Sequence, residues 1–331
     1  MTLLRAALQR GRPRAALLAV LVALLAALVP VRPAHAAGTI EEVTGFGSNP
    51  GALRMYRYVP AGLPQGRPVV VALHGCTQNA QGYGTQSGWT ALADRWGFSV
   101  VLPGQTSANN LSQCFNWFQS GDIARGQGEA LSIRQMTARQ VTDTGADPSR
   151  VYVTGLSAGG AMTAVMMAAY PDVYAAGGVV AGLPYGCAQA AGSPYVCMYV
   201  GATQTPGQWG GRVRAAFPGY TGPWPRLSVF QGTADYTVKP VNMDDLVRQW
   251  TDVHGTDQTA DASDIVAGFP HRTYRDASGA AAVETYSITG MGHGQPVDPG
   301  SGAAQCGTAA AYMLDVNLCA AYRLGTGWGL G

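Results

Sequence analysis

Charge is scarce in this chain: Asp, Glu, Lys and Arg make up 12% of it, against 47% hydrophobic residues. Such a composition lets the roughly 290 residues that follow the amino-terminal segment bury one sizeable core. No run of Lys or Arg occurs beyond residue 36, so a phosphate-binding surface for nucleic acid has no support. No Cys-x-x-Cys occurs, which leaves zinc and redox readings weak and gives no reason to expect a metal. Nor does the chain carry an internal repeat, a heptad pattern or a low-complexity tail, which excludes solenoid and coiled-coil architectures. The apolar run from Ala15 to Val29 falls short of the roughly 18 residues a membrane-spanning helix needs.

That run instead has the parts of a secretory leader. Arg5, Arg10, Arg12 and Arg14 precede it, and Pro30 and the small-residue site Ala34-His35-Ala36 follow. Residues 1–36 are therefore expected to be a signal peptide cleaved after Ala36, leaving one catalytic domain over 37–331, secreted and not membrane-bound. Its loss removes five arginines, Arg32 included, and takes the formal charge from +2 to about −3. Six cysteines, an even number in an exported chain, suggest three disulfides. Spacing alone does not fix connectivity. The expected pairing is Cys187 with Cys197 and Cys306 with Cys319, as local pairs, leaving Cys76 with Cys114.

Apolar β-branched runs alternate with helical segments, the pattern of a mostly parallel sheet covered by helices on both faces. Strands are expected near 55–59, 69–73, 99–102, 151–154, 178–181, 227–231 and 284–288. Helices are expected over 87–96, 129–143, 161–169, 241–253 and 309–322. The stretches 201–225 and 257–268 read as long surface excursions.

Gly155-Leu156-Ser157-Ala158-Gly159, directly behind the apolar Val151-Tyr152-Val153, reads as a nucleophile elbow. A strand that turns sharply into a helix exposes one serine hydroxyl, and small neighbours make room for the strained turn. The helix that follows aims its free N–H groups at that serine. Serine is a poor nucleophile without a histidine base and a carboxylate that fixes the histidine's tautomer. Of five histidines, His35 leaves with the leader, His254 ends an amphipathic helix and His271 lies in a polar loop. His74 precedes the serine at a strand end. His293, in Met291-Gly292-His293-Gly294 after the last strand, has the order and setting of the base. Asp235, just past the strand ending in Gly232, has those of the acid. The oxyanion donors are expected to be the amides of Ala158 and of Cys76, the latter following Val69–Leu73, His74 and Gly75 and held still by its disulfide. His74 and Trp117 are placed at the substrate, Trp117 as an aromatic wall of an acyl groove. Trp89 and Trp209, if exposed, would touch an insoluble substrate.

The segments Leu73-His74-Gly75-Cys76-Thr77-Gln78, Cys114-Phe115-Asn116-Trp117-Phe118, Gly155 to Met162, Gly182-Leu183-Pro184-Tyr185-Gly186-Cys187 and Gly290 to Gly294 resemble those of extracellular poly(3-hydroxybutyrate) depolymerase-type esterases. The resemblance covers nearly the whole chain beyond the leader. It implies an α/β-hydrolase fold, a Ser157–Asp235–His293 triad and hydrolysis of short-chain polyester. The serine chemistry itself requires no cofactor, and a monomer is expected. The resemblance also implies kinship with feruloyl and acetylxylan esterases, the alternative activity; a non-catalytic binding protein on a hydrolase scaffold is the alternative from a different class. Two departures stand out. Gln231 occupies a position where many relatives carry histidine, a change expected to leave the triad alone. No polymer-binding domain is expected after the catalytic part, so the resemblance does not imply tight adsorption to crystalline polymer.

Overall fold

Val69–Leu73 (β3) is five apolar residues in succession, and all five are buried. Its alternate side chains enter two different cores: Val69, Val71 and Leu73 face one, Val70 and Ala72 the other. A strand with two apolar faces needs helices on both sides of its sheet. In this computed structural model, which describes residues 37–331, that is the arrangement. The expected leader, residues 1–36, lies outside the described residues.

The sheet has ten strands: β1 (Ile40–Val43), β2 (Arg54–Tyr58), β3, β4 (Ser99–Gly104), β5 (Val151–Leu156), β6 (Ala176–Val180), β7 (Arg226–Gly232), β8 (Ala262–Val266), β9 (Phe269–Arg275) and β10 (Ala281–Ile288). Their spatial order is β1-β2-β4-β3-β5-β6-β7-β10-β9-β8. From β4 to β10 every neighbouring pair is parallel, and the antiparallel pairs lie at the two edges. A small parallel pair, β11 (Gln295–Val297) with β12 (Met313–Asp315), stands apart.

The helices are α1 (Ala80–Gln86), α2 (Trp89–Trp96), α3 (Ser120–Ile123), α4 (Gly128–Thr144), α5 (Ala158–Ala169), α6 (Cys187–Ala191), α7 (Pro194–Val200), α8 (Pro206–Ala216), α9 (Val241–His254) and α10 (Ala320–Gly327). Buried side chains of α4, α5, α8 and α9, among them Met136, Met162, Trp209 and Trp250, fill the core on one face. Tyr83, Trp89, Leu92, Leu324 and Trp328, from α1, α2, α10 and the residue after α10, fill the other. Among the described residues no helix is long and apolar enough to cross a membrane.

Registers across the parallel strands place their carboxyl ends together. Leu73 is opposite Gly155, Leu156 opposite Val180, Val180 opposite Phe230, and Gly232 opposite Ile288. The loops carrying residues 74–78, 157, 233–240 and 289–294 therefore leave one edge of the sheet side by side, where ligands of open α/β sheets bind.

Three sequence expectations require correction. The helix expected over 309–322 begins only at Ala320, because Tyr312 and Asn317 take left-handed φ values of 62° and 57° and Met313–Asp315 pairs with β11. The excursion expected over 201–225 contains α8, started by a capping box between Thr205 and Gln208 with Pro206 at its first turn and anchored by a buried Trp209. The excursion expected over 257–268 contains β8, joined to β9 through Ala267 and Gly268, both at positive φ, as in a two-residue hairpin turn. His271 accordingly sits in β9 rather than in a loop, between Asp264 and Glu284.

Candidate active site

Ser157 separates β5 from α5 at φ 58° and ψ −118°, a strained backbone that lifts its side chain off the sheet edge. Its own amide is tied to the Val180 carbonyl at 2.9 Å. The turn is tight because Gly159 lies against the end of β3. A Cβ on Gly159 would overlap the Leu73 carbonyl and come within 2.6 Å of the His74 carbonyl oxygen.

From the neighbouring loop His293 brings Nε2 to 2.9 Å from Ser157 Oγ, while its Nδ1 lies 2.8 Å from Asp235 Oδ2. With Nδ1–H donating to the carboxylate, Nε2 is left to accept from the serine hydroxyl. The Asp235 side chain is fully buried. Its Oδ1 accepts from the amides of Thr237 and Val238, each at 2.9 Å, so the carboxylate is solvated by protein donors in place of water. The acid and base loops are clamped together by bonds from Thr233 N to Ile288 O, Ala234 N to Met291 O and Gly290 N to Thr233 Oγ1. Gly232 permits that approach, since a Cβ there would overlap the Met291 carbonyl.

Gln231 is a site residue that the sequence reading left out. Its Nε2 donates to Asp235 Oδ2 at 3.1 Å and to the Val238 carbonyl at 2.9 Å. The triad closes with glutamine in this place, and Gln231 touches the same carboxylate oxygen as His293. Its being a departure from the family pattern was the available signal.

Among the described residues the amides of Cys76 and Ala158 make no hydrogen bond, and both residues flank the Ser157 hydroxyl, Cys76 as part of the cleft wall and Ala158 as the first residue of α5. The Cys76 amide shares its peptide plane with the Gly75 carbonyl. His74 Nδ1 lies 2.8 Å from that carbonyl, and its Nε2 lies 3.0 Å from the Gln105 amide. Donation at Nδ1 and acceptance at Nε2 fit one neutral tautomer, and complete burial pulls the imidazole down to about 4. Placement of His74 at the substrate is thereby corrected: it is a buried strut that holds the peptide carrying the Cys76 amide. Gln105 continues the network with bonds to the Cys114 carbonyl at 3.0 Å and Glu129 Oε1 at 2.6 Å. Glu129, wholly buried, also accepts from Asn116 N and Asn109 Nδ2. Burial pushes its carboxyl up to about 8, against those N–H donors. Disulfides join Cys76 to Cys114, Cys187 to Cys197 and Cys306 to Cys319.

Trp117 is likewise not a groove wall. It is buried in the core, packed edge-on against Phe118, and the cleft is lined instead by Gly75–Gln78, Leu156, Met198, Thr237 and Tyr312 around Ser157 and His293. Trp89 and Trp209 are also core residues. The cleft holds about 150 Å³. Tyr312 packs edge-on to the His293 ring.

Residues 53–267 match the protein family described as Esterase PHB depolymerase. The chain is 55% identical to poly(3-hydroxyalkanoate) depolymerase C of Paucimonas lemoignei over 88% of its own length and 70% of that protein's. It is 36% identical to feruloyl esterase B of Talaromyces funiculosus over 84% of this chain and 78% of the relative. A solved acetyl xylan esterase from Aspergillus awamori superposes with a TM-score of 0.71 at 30% identity, covering 77% of this chain and 94% of that one.

Proposed function

Because the chain belongs to the Esterase PHB depolymerase family, and is thus a carboxylic-ester hydrolase of α/β-hydrolase fold, we propose that it is a secreted serine esterase that cleaves short-chain polyester such as poly(3-hydroxybutyrate) or its oligomers. The observation that carries this reading is the continuous relay from Asp235 Oδ2 through His293 to Ser157 Oγ, at 2.8 and 2.9 Å. His293 Nε2 takes the hydroxyl proton as Ser157 Oγ attacks the ester carbonyl carbon. The amides of Cys76 and Ala158 hold the oxygen as it becomes negative, each donor being typically worth about 10²–10³ in rate. His293 then passes its proton to the departing alkoxide oxygen, which leaves as an alcohol and an acyl-serine. A water molecule, deprotonated by the same nitrogen, attacks the acyl carbon; the carboxylic acid departs and Ser157 regains its proton. Asp235 keeps the imidazole in the required tautomer and offsets the charge of the imidazolium.

Identity of 55% to a poly(3-hydroxyalkanoate) depolymerase, against 36% to a feruloyl esterase, favours polyester over ferulate. Six cysteines joined in three disulfides suit an oxidising, extracellular setting. The experiment is a panel on the purified protein: poly(3-hydroxybutyrate) emulsion, soluble 3-hydroxybutyrate oligomers, methyl ferulate and acetylated xylan. Clearing of the emulsion together with oligomer cleavage is the expected result. Release of ferulate or acetate with an untouched emulsion would replace the substrate assignment.

A further inference from the structure

Apolar side chains stand in water around the mouth of the cleft. On α7, Tyr195 and Val200 are 68% and 69% exposed. Tyr236, next to Asp235, is 79% exposed, and Tyr312, which lines the cleft, is 45% exposed. Leu111, 93% exposed, joins the same rim through the bond from Thr77 N to Ser112 O at 2.7 Å. These residues are contiguous with the site. Met198, one turn along α7 from Tyr195, lines the cleft, and its carbonyl accepts from Lys239 N and Asn242 Nδ2, which binds α7 to the loop that carries Asp235 and Tyr236.

None of this exposure is needed to hold α7 in place, because Cys197 anchors the helix through its disulfide to Cys187. The segments that build this face are also without Asp, Glu, Lys or Arg: residues 68–93, 96–121, 173–211, 285–297 and 299–314 contain none. In the 233–240 loop the ionic side chains are the buried Asp235 and the exposed Lys239. Elsewhere on the surface ion pairs are plentiful, as between Arg54 and Glu42 or Arg125 and Asp172. Large exposed apolar patches on a soluble protein mark contact surfaces. A patch with so little charge, Lys239 being the exposed ionic side chain of its loops, matches a neutral, water-insoluble partner, since few ions must be desolvated to cover it.

We propose that this apolar, charge-poor collar seats directly on the surface of a water-insoluble polyester and brings the Ser157 cleft against it, so that the catalytic part adsorbs to polymer by itself. The inference rests on the polyester reading above and extends it to the solid substrate. It is tested in a Ser157→Ala background, so that adsorption is read without hydrolysis, by partition between buffer and a poly(3-hydroxybutyrate) film, with crystalline cellulose as the polar solid. The parent is expected to bind the film, to leave cellulose unbound and to stay bound in 1 M NaCl. Combined Leu111→Ser, Tyr195→Ser and Val200→Ser substitutions should lower film partition at least about tenfold, the loss expected when three apolar contacts are removed. With Ser157 restored, the triple variant should turn over soluble p-nitrophenyl butyrate within about twofold of the parent. Equal film binding by the triple variant and its parent, release of the parent by salt, or a matching loss of soluble turnover would each overturn the proposal. Film binding as expected, with no hydrolysis of film or oligomers by the active protein, would uphold the collar and remove the substrate assignment instead.

Discussion

Gly159→Ala tests whether the elbow and the oxyanion loop are one mechanical unit. The methyl group would overlap the Leu73 carbonyl and stand 2.6 Å from the His74 carbonyl oxygen, with ordinary contact beginning at 3.4 Å. Both obstacles are backbone, at the end of the strand that leads to Gly75 and Cys76. They have no side-chain freedom with which to yield. Either the start of α5 or the end of β3 must retreat by about an ångström, which separates the Ser157 hydroxyl from the Cys76 amide. A misplacement of that size typically costs about 10² in rate, and overpacking of this kind costs about 1–3 kcal/mol in stability. The control is Gly292→Ala, beside the base itself, where a Cβ meets nothing within 4 Å. Steady-state kinetics on soluble p-nitrophenyl butyrate, with thermal melts, should show kcat down about a hundredfold for Gly159→Ala and within about twofold for Gly292→Ala. A fully active Gly159→Ala, or a folded but inactive Gly292→Ala, would refute the reasoning.

Gln231→Leu takes away an N–H donor from Asp235 Oδ2 and leaves the Val238 carbonyl unpaired. A hydrogen bond to a charged group contributes about 1.5–3 kcal/mol, so kcat should fall roughly tenfold or more, and an unchanged kcat in a folded variant would exclude Gln231 from positioning the acid. Glu129 gives a pH prediction. Its carboxyl is raised by burial from 4.5 to about 8, so the folded state holds the proton more tightly than the unfolded chain. The resulting stabilisation is present in full below about pH 4.5 and is lost as pH rises through about 8, amounting to at most about 5 kcal/mol. Urea unfolding at pH 5 and pH 9 should show the wild type losing stability relative to Glu129→Gln; a difference that stays constant between the two pH values would contradict the assignment.

Much of the site was legible because its chemistry imposes local sequence. An elbow needs small residues beside the serine, and parallel strands with short loops send Ser157, Asp235 and His293 to one edge in chain order. The central strands were legible for a similar reason, since burial on both faces leaves uninterrupted apolar runs such as Val69–Leu73. What was missed depends on tertiary context. Ala309 to Ala311 favour helix, yet Tyr312 and Asn317 adopt left-handed backbone because β12 pairs with β11. The capping box at Thr205 was present in the sequence, obscured by glycines, and the Trp209 that justifies α8 is recognisable only once α9 packs against it. His74 and Trp117 sit beside chemistry in sequence but point into the protein, a distinction that strand alternation at a loop boundary does not reveal. The cleft wall from Met198 and Tyr312 comes from segments far from any motif.

Acylation of Ser157 by way of His293 is the claim on which the rest depends. Its most direct test is intact-protein and peptide mass spectrometry after brief exposure to a p-nitrophenyl alkylphosphonate, which transfers its phosphonyl group to an activated serine with release of p-nitrophenol. One phosphonyl adduct should form, on Ser157, in step with loss of ester turnover, and it should fail to form in His293→Ala. An adduct on another residue, or full ester turnover by Ser157→Ala, would contradict the account.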